Sequence, residues 1–136
     1  MSMRPSWTET WMNIAKELAR RAPCTRSQVG CIVVAANQFV WPGYNGVPSG
    51  EKHCTDGGCP RGLLTYEELP PEGDYSNCKA VHAEVNAIRK AGEFARGAVI
   101  FVTRRPCSDC RQAIVQSQLS EMVYLDESGQ VVREGI

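Results

Sequence analysis

His82-Ala83-Glu84 is followed by the segment Pro106-Cys107-Ser108-Asp109-Cys110, its first cysteine 25 residues after the histidine. Nothing else in the chain restricts its fold so strongly. An imidazole and two thiols are donors that zinc prefers, and here they come from two separate segments. The fold must therefore bring both segments to one place. Between them, Ala98-Val99-Ile100-Phe101-Val102-Thr103 is a nearly unbroken apolar run, rich in β-branched residues, and reads as a buried strand. The predicted unit is helix, strand, helix, with a metal at the joining edge.

The local chemistry agrees with that unit. Cys107 and Cys110 are three apart, so they share a face on the first turn of a helix. Pro106 suits a helix start. The positive end of the helix dipole and a metal both favour thiolate over thiol. A closed structural zinc site has four protein ligands. His82, Cys107 and Cys110 make three, leaving one position for water, whose pKa a catalytic zinc lowers to about 7. Glu84 lies two residues from His82, and on a helix that offset turns it away from the imidazole's direction. It is expected to carry protons rather than to ligate. A lone Cys-x-x-Cys also marks redox pairs and halves of structural zinc sites, and a lone His-x-Glu says little. Their order and spacing together favour a catalytic centre.

The 136 residues predict a single domain over 1–136, large enough for a real core. Fifteen basic and fifteen acidic residues cancel, which argues against a broad nucleic-acid-binding face. Met1 to Thr10 is polar and does not read as a secretory leader. The longest apolar run, Cys31 to Ala36, is too short to span a membrane. Seven cysteines, an odd number, with metal-ligand spacing, predict reduced thiols in a cytoplasm rather than a disulfide scaffold.

Ser6-Trp7-Thr8-Glu9 has the form of a capping box, and Trp7, Trp11, Ile14, Ala15, Leu18 and Ala19 follow helical spacing. A first helix is expected from about Trp7 to Arg21, stopped by Pro23. Val29 to Ala36 and the segment from Phe39 to Trp41 read as a hairpin about Asn37-Gln38. Tyr44 to Asn77 is a long segment dense in Gly, Pro, Cys and charge, the kind that is often functional. Further elements are expected at about Lys79 to Ala91, with a stop at Gly92, then 98–103 (strand), 107–118 (helix) and Met122 to Leu125 (strand). Val131-Val132 reads as a short edge strand. The expected class is a three-layer α/β/α domain with a mixed sheet of four or five strands.

The pattern H-x-E…P-C-x-x-C is a recognised signature of zinc deaminases that act on nucleobases. The chain resembles the cytidine deaminase superfamily and, within it, the deoxycytidylate (dCMP) deaminases. The closer likeness rests on Cys24-Thr25-Arg26-Ser27-Gln28-Val29-Gly30, Gly43-Tyr44-Asn45-Gly46-Val47-Pro48-Ser49-Gly50, Ala80-Val81-His82-Ala83-Glu84-Val85-Asn86-Ala87-Ile88 and Thr103-Arg104-Arg105-Pro106-Cys107-Ser108-Asp109-Cys110. It covers roughly residues 7 to 126. The resemblance implies a cytidine-deaminase-like fold and hydrolysis of a small pyrimidine deoxynucleotide, dCMP, to dUMP. It also implies a homo-oligomer, often a hexamer, and in many members activation by dCTP and inhibition by dTTP.

Asn45 can hydrogen-bond a sugar hydroxyl or a base edge, and Gly46 lets backbone approach closely, although Asn-Gly is also a common turn. The resemblance favours substrate contact. Arg26, Ser27 and Gln28 are candidate phosphate contacts, or a polar loop before a strand. Arg104 and Arg105 precede the metal motif and either reach an anionic substrate or lie on the surface. Cys31, in the apolar strand, is expected in the core. Cys24, Cys54, Cys59 and Cys78 are expected in loops or at helix ends. The resemblance suggests that they close a second, structural zinc site, with His53 as a competing ligand.

Other substrates stay open at this point: a tRNA adenosine, nucleosides, free bases or base-containing antibiotics. Neutral charge argues against tRNA, and Tyr44-Asn45-Gly46 against a free base. A non-catalytic zinc- or nucleotide-binding module is disfavoured by Glu84, because a purely structural site has no use for a carboxylate beside an open metal.

Overall fold

A computed structural model of the chain describes residues 4–22, 28–36, 38–46 and 82–136, and all that follows concerns these. Cys24, Arg26, Ser27, His53, Cys54, Cys59 and Cys78 lie outside the described residues. Ser6, in an extended conformation, caps helix α1 (Trp7–Ala19), its hydroxyl accepting from the Glu9 N–H at 3.1 Å. That is the capping contact expected from the sequence. Arg20 closes the helix one residue short of the expected end.

The chain then makes a hairpin of β1 (Gly30–Ala35) and β2 (Phe39–Tyr44), paired from Gly30 with Tyr44 to Ala35 with Phe39. Helix α2 (Ala83–Ala91) ends at Gly92, whose φ of 56° suits a residue without a side chain. One 3₁₀ turn (Gly92–Ala95) leads to β3 (Val99–Val102), followed by helix α3 (Ser108–Gln116), β4 (Glu121–Leu125) and β5 (Val131–Gly135). The five strands form one sheet in the order β2-β1-β3-β4-β5. β3 and β4 are parallel and the other neighbours antiparallel, so the sheet is mixed. A parallel pair needs a crossover, which α3 provides.

Strand alternation sorts the core into two faces. Ile32, Val34, Phe101 and Val123 pack with Met12 and Ala15 of α1. Cys31, Val33, Ile100, Val102, Met122 and Tyr124 pack with Ala83, Ala87 and Ala91 of α2 and Ile114 of α3. Helices therefore cover both faces of the sheet, the expected three layers, and Cys31 lies in the core as expected. Each large apolar side chain buried here contributes about 1.5–3 kcal/mol.

Two glycines set how closely the helices sit. A Cβ on Gly30 would run into the carbonyl oxygen of Ala15 in α1, and one on Gly43 into the carbonyl of Ala83 and the side chain of Ala87 in α2. No helix of the described residues is long and apolar enough to cross a membrane.

The boundaries depart most from the sequence reading at α2, α3 and β5. α2 does not run from Lys79: His82, with φ −65° and ψ 149°, is extended and serves as N-cap, so the helix begins at Ala83. α3 spans Ser108–Gln116 rather than 107–118, with Cys107 as its N-cap, which puts Pro106 just outside the helix. β5 is longer than the Val131-Val132 pair and reaches Gly135. Its turn is organised by Asp126, whose Oδ1 accepts from the Ser128 N–H at 2.9 Å, the Ser128 hydroxyl at 2.7 Å and the Gln130 N–H at 3.0 Å.

Candidate active site

The two motifs meet at the starts of two helices. His82 caps α2, Cys107 caps α3, and Cys110 stands in the first turn of α3. The approach to α3 is fixed at Thr103, just past the end of β3. Its N–H donates to the Gly30 carbonyl at 3.0 Å, and its hydroxyl accepts from the Gly30 N–H at 3.1 Å.

His82 Nδ1 lies 3.0 Å from Cys110 Sγ and 3.7 Å from Cys107 Sγ. The three donor atoms all lie within 4.8 Å of one another. Tetrahedral zinc, with Zn–N about 2.0 Å and Zn–S about 2.3 Å, separates neighbouring ligand atoms by about 3.6 Å. Donor chemistry and spacing thus both suit zinc.

Electrostatics point the same way. Burial, and then the charge of Glu84, push the Cys110 thiol far above its ordinary pKa. A thiolate here needs a cation beside it, and a metal is the cation that thiolates bind. Glu84 is itself only 4% exposed, although carboxylates are rarely buried so deeply. Burial raises its pKa, while its own backbone N–H, His82, Cys110 and Arg104 pull it back. A carboxyl biased toward the neutral form accepts a proton more readily than an exposed one.

Asn45 is also buried, at 7% exposure. Its Oδ1 accepts from the Val29 N–H at 2.8 Å, and its N–H donates to the Val29 carbonyl at 3.2 Å. Gln28 turns back, its Nε2 donating to the Ala22 carbonyl at 2.8 Å. Arg104 is half-buried and its charge acts on Glu84. Arg105 is exposed and lies over the Tyr124 ring, its guanidinium carbon 5.1 Å from the centroid. Of the candidates for a second zinc, none lies among the described residues.

One residue with a positioning part was not singled out from the sequence. Asn86 on α2 donates from Nδ2 to the Tyr44 carbonyl at 2.9 Å, and its N–H donates to the His82 carbonyl at 3.1 Å. It ties the end of β2, where Asn45 follows, to the helix carrying Glu84. The available signal was an amide in the first turn of an alanine-rich helix.

The chain is similar to known proteins. The family described as the cytidine and deoxycytidylate deaminase zinc-binding region matches residues 5–126. The deoxycytidylate deaminase of Mycobacterium phage D29 is 41% identical over 130 residues, spanning 92% of this chain and 98% of the phage protein. The deoxycytidylate deaminase of Schizosaccharomyces pombe is 37% identical over 123 residues; the match takes in 89% of this chain but 37% of the yeast protein. The crystal structure of the dCMP deaminase from cyanophage S-TIM5 in complex with dCMP and dUMP superimposes with a TM-score of 0.67 at 27% identity, covering 92% of this chain and 85% of that one.

Proposed function

This chain belongs to the cytidine and deoxycytidylate deaminase family, and from that premise we propose that it hydrolyses dCMP to dUMP and ammonia. The observation that carries the reading is the buried carboxyl of Glu84 beside the cluster of His82, Cys107 and Cys110. In this reading those three side chains hold the catalytic zinc, which when bound supplies a Lewis acid that brings the pKa of water to about 7.

Glu84 does the proton work. It takes a proton from the attacking water and gives it to N3 of the cytosine ring as oxygen adds to C4. It then takes the remaining hydroxyl proton and delivers it to the amino group, which leaves as ammonia while the C4 carbonyl forms. Two protons move through one carboxyl, and water and dCMP balance dUMP and ammonia. A carboxyl shielded from solvent suits this shuttle, because bulk water does not compete for the proton.

Asn45 and Gln28, with Arg26 and Ser27, are assigned to the sugar and phosphate of the substrate. Asn45 directly follows β2, the strand whose Gly43 rests on Ala83 and Ala87 of α2, which supports its assignment. Arg104 is a further candidate for the substrate's negative charge. Cys24, Cys54, Cys59 and Cys78 are assigned to a second, structural zinc. Residues 1–136 are read as one deaminase domain, acting in the cytoplasm as a homo-oligomer, in keeping with the family.

Ammonia release measured across cytosine, adenine and guanine bases, nucleosides and monophosphates tests the proposal. The expected result is turnover of dCMP with a large fall in kcat/KM for deoxycytidine, since binding energy from a remote phosphate helps position the ring. Equal turnover of both would remove the nucleotide assignment. No turnover of any cytosine compound by zinc-loaded protein would remove the function.

A further inference from the structure

Two arginines bracket the segment that carries both thiols. Arg105 immediately precedes Pro106-Cys107, and Arg111 immediately follows Cys110. Both stand over the same ring: the guanidinium carbons of Arg105 and Arg111 lie 5.1 Å and 5.8 Å from the centroid of Tyr124. Tyr124 is wholly buried in β4, on the sheet face that α3 covers. Its hydroxyl accepts from Arg111 Nη2 at 3.4 Å and donates to Glu134 Oε1 of β5 at 3.1 Å. Arg111 Nη1 donates to Glu134 Oε2 at 2.8 Å, closing a three-residue ring of contacts.

We propose that Tyr124 is a positioning residue for the metal centre, holding both ends of the Cys107–Cys110 turn so that the two sulfurs keep their spacing when the metal is absent. The proposal rests on the reading that His82, Cys107 and Cys110 hold zinc. Partners outside a metal's own ligands commonly change affinity by about 10- to 100-fold, because they fix where the ligand atoms point. Here the ligand-bearing turn has one anchor on each side, and both anchors converge on one side chain that the core immobilises. Glu134 adds a third support, so the last strand of the sheet is coupled to the thiols through Tyr124. A tyrosine that merely filled the core would need neither cation. Arg105, an exposed and long side chain, gives up rotamer freedom to lie over the ring.

Transfer of zinc from the purified, zinc-loaded protein to a chromogenic chelator tests this. His82→Ala protein serves as the blank for zinc held elsewhere in the chain. Arg105→Gln is expected to release the His82-dependent zinc on the order of two- to five-fold faster, the loss of one exposed cation–ring contact. Arg105→Lys, which keeps a cation, should fall between the two. Tyr124→Leu should release it roughly ten-fold faster or more. Because Tyr124 is buried, that variant risks misfolding. The exposed Arg105 therefore carries the test, together with an unfolding midpoint of the chelated protein that stays unchanged in Arg105→Gln. Wild-type protein that releases no more zinc than His82→Ala would overturn the metal site itself, and the positioning role with it. A wild-type excess with Arg105→Gln and Arg105→Lys releasing at the wild-type rate would overturn the positioning role alone.

Discussion

Val29 and Asn45 hold each other twice, the Asn45 side-chain oxygen accepting the Val29 N–H at 2.8 Å while the Asn45 N–H donates to the Val29 carbonyl at 3.2 Å. This fixes which way the amide faces. Its oxygen accepts from backbone, and Nδ2 is the amide's only donor group, so a hydrogen bond that Asn45 gives to a substrate comes from there. Two substitutions probe the two jobs. Asn45→Asp keeps an acceptor for Val29 but loses the donor and adds charge. It should lower kcat/KM for dCMP by about 10-fold or more, the value of one hydrogen bond to a charged or polar partner, and the buried charge should lower the melting temperature as well. Asn45→Ala also strands a buried N–H and should cost about 1–3 kcal/mol of stability in denaturant titrations.

Glu84→Gln keeps the shape of the side chain and removes its proton-carrying capacity. Its kcat should fall by at least about 10²- to 10⁴-fold. Zinc content and circular dichroism should match the wild type. Near-normal turnover with metal retained would show that the proton is carried by another group.

Metal analysis should find two zinc atoms per chain. Cys110→Ser should remove one and abolish turnover, whereas Cys54→Ser or Cys59→Ser should remove the other and lower stability more than kcat, because metal binding at a structural site is folding energy. One zinc per fully loaded wild-type chain would rule out the second site.

Gly30→Ala pushes a methyl group into the backbone of α1, where a side chain cannot rotate aside. Overpacking of this kind costs about 1–3 kcal/mol, and contact with a backbone carbonyl places it at the upper end. The loss should appear in the urea midpoint with the slope of the transition unchanged.

The turn between β4 and β5 gives a pH signature. The Ser128 hydroxyl, and then the Gln130, Ser128 and Gly129 N–H groups, hold the Asp126 carboxyl below its ordinary pKa. A depressed carboxyl stabilises the fold above the unfolded value, about 3.9. That stabilisation disappears as pH falls through the lower folded value. Asp126→Asn should therefore melt below the wild type at pH 7, and the gap should close as the pH drops below about 4. A gap that persists at pH 2 would mean that the carboxylate charge contributes nothing to the turn.

The make-up of the centre was legible because residue identity and spacing are local properties of sequence. That His82, Cys107 and Cys110 come together needed no knowledge of the sheet. Ser6 and Gly92 announced helix ends by side-chain type, and the apolar, β-branched run through Cys31, Ile32, Val33 and Val34 announced a strand. The start of α2 was misread because Lys79-Ala80-Val81 carries no stop signal and continues the helical pattern. What breaks the helix is the extended backbone of His82 itself. Pro106 misled in the same way: Cys107 takes the capping position, one step later. The reach of β5 escaped because Arg133 and Glu134 look like a solvated tail. Their strand is defined by pairing with β4, and pairing between distant segments leaves little trace in either one alone. The convergence of Arg105 and Arg111 on Tyr124 is invisible for the same reason.

The approach of α2 to β2 has a consequence for tuning. Gly43 has no functional group, yet it lets the start of α2 rest on the strand through Ala83 and Ala87. That turn carries Glu84 and begins at His82, while the thiols ride on a different helix seated on a different part of the sheet. The gap between the Glu84 carboxyl and the sulfurs is therefore a mechanical tolerance, set by a missing methyl group at residue 43. Displacements of about 1 Å can cost a reaction about 100-fold. Residue 43 is thus a place where variation can speed or slow the enzyme while every catalytic group stays the same.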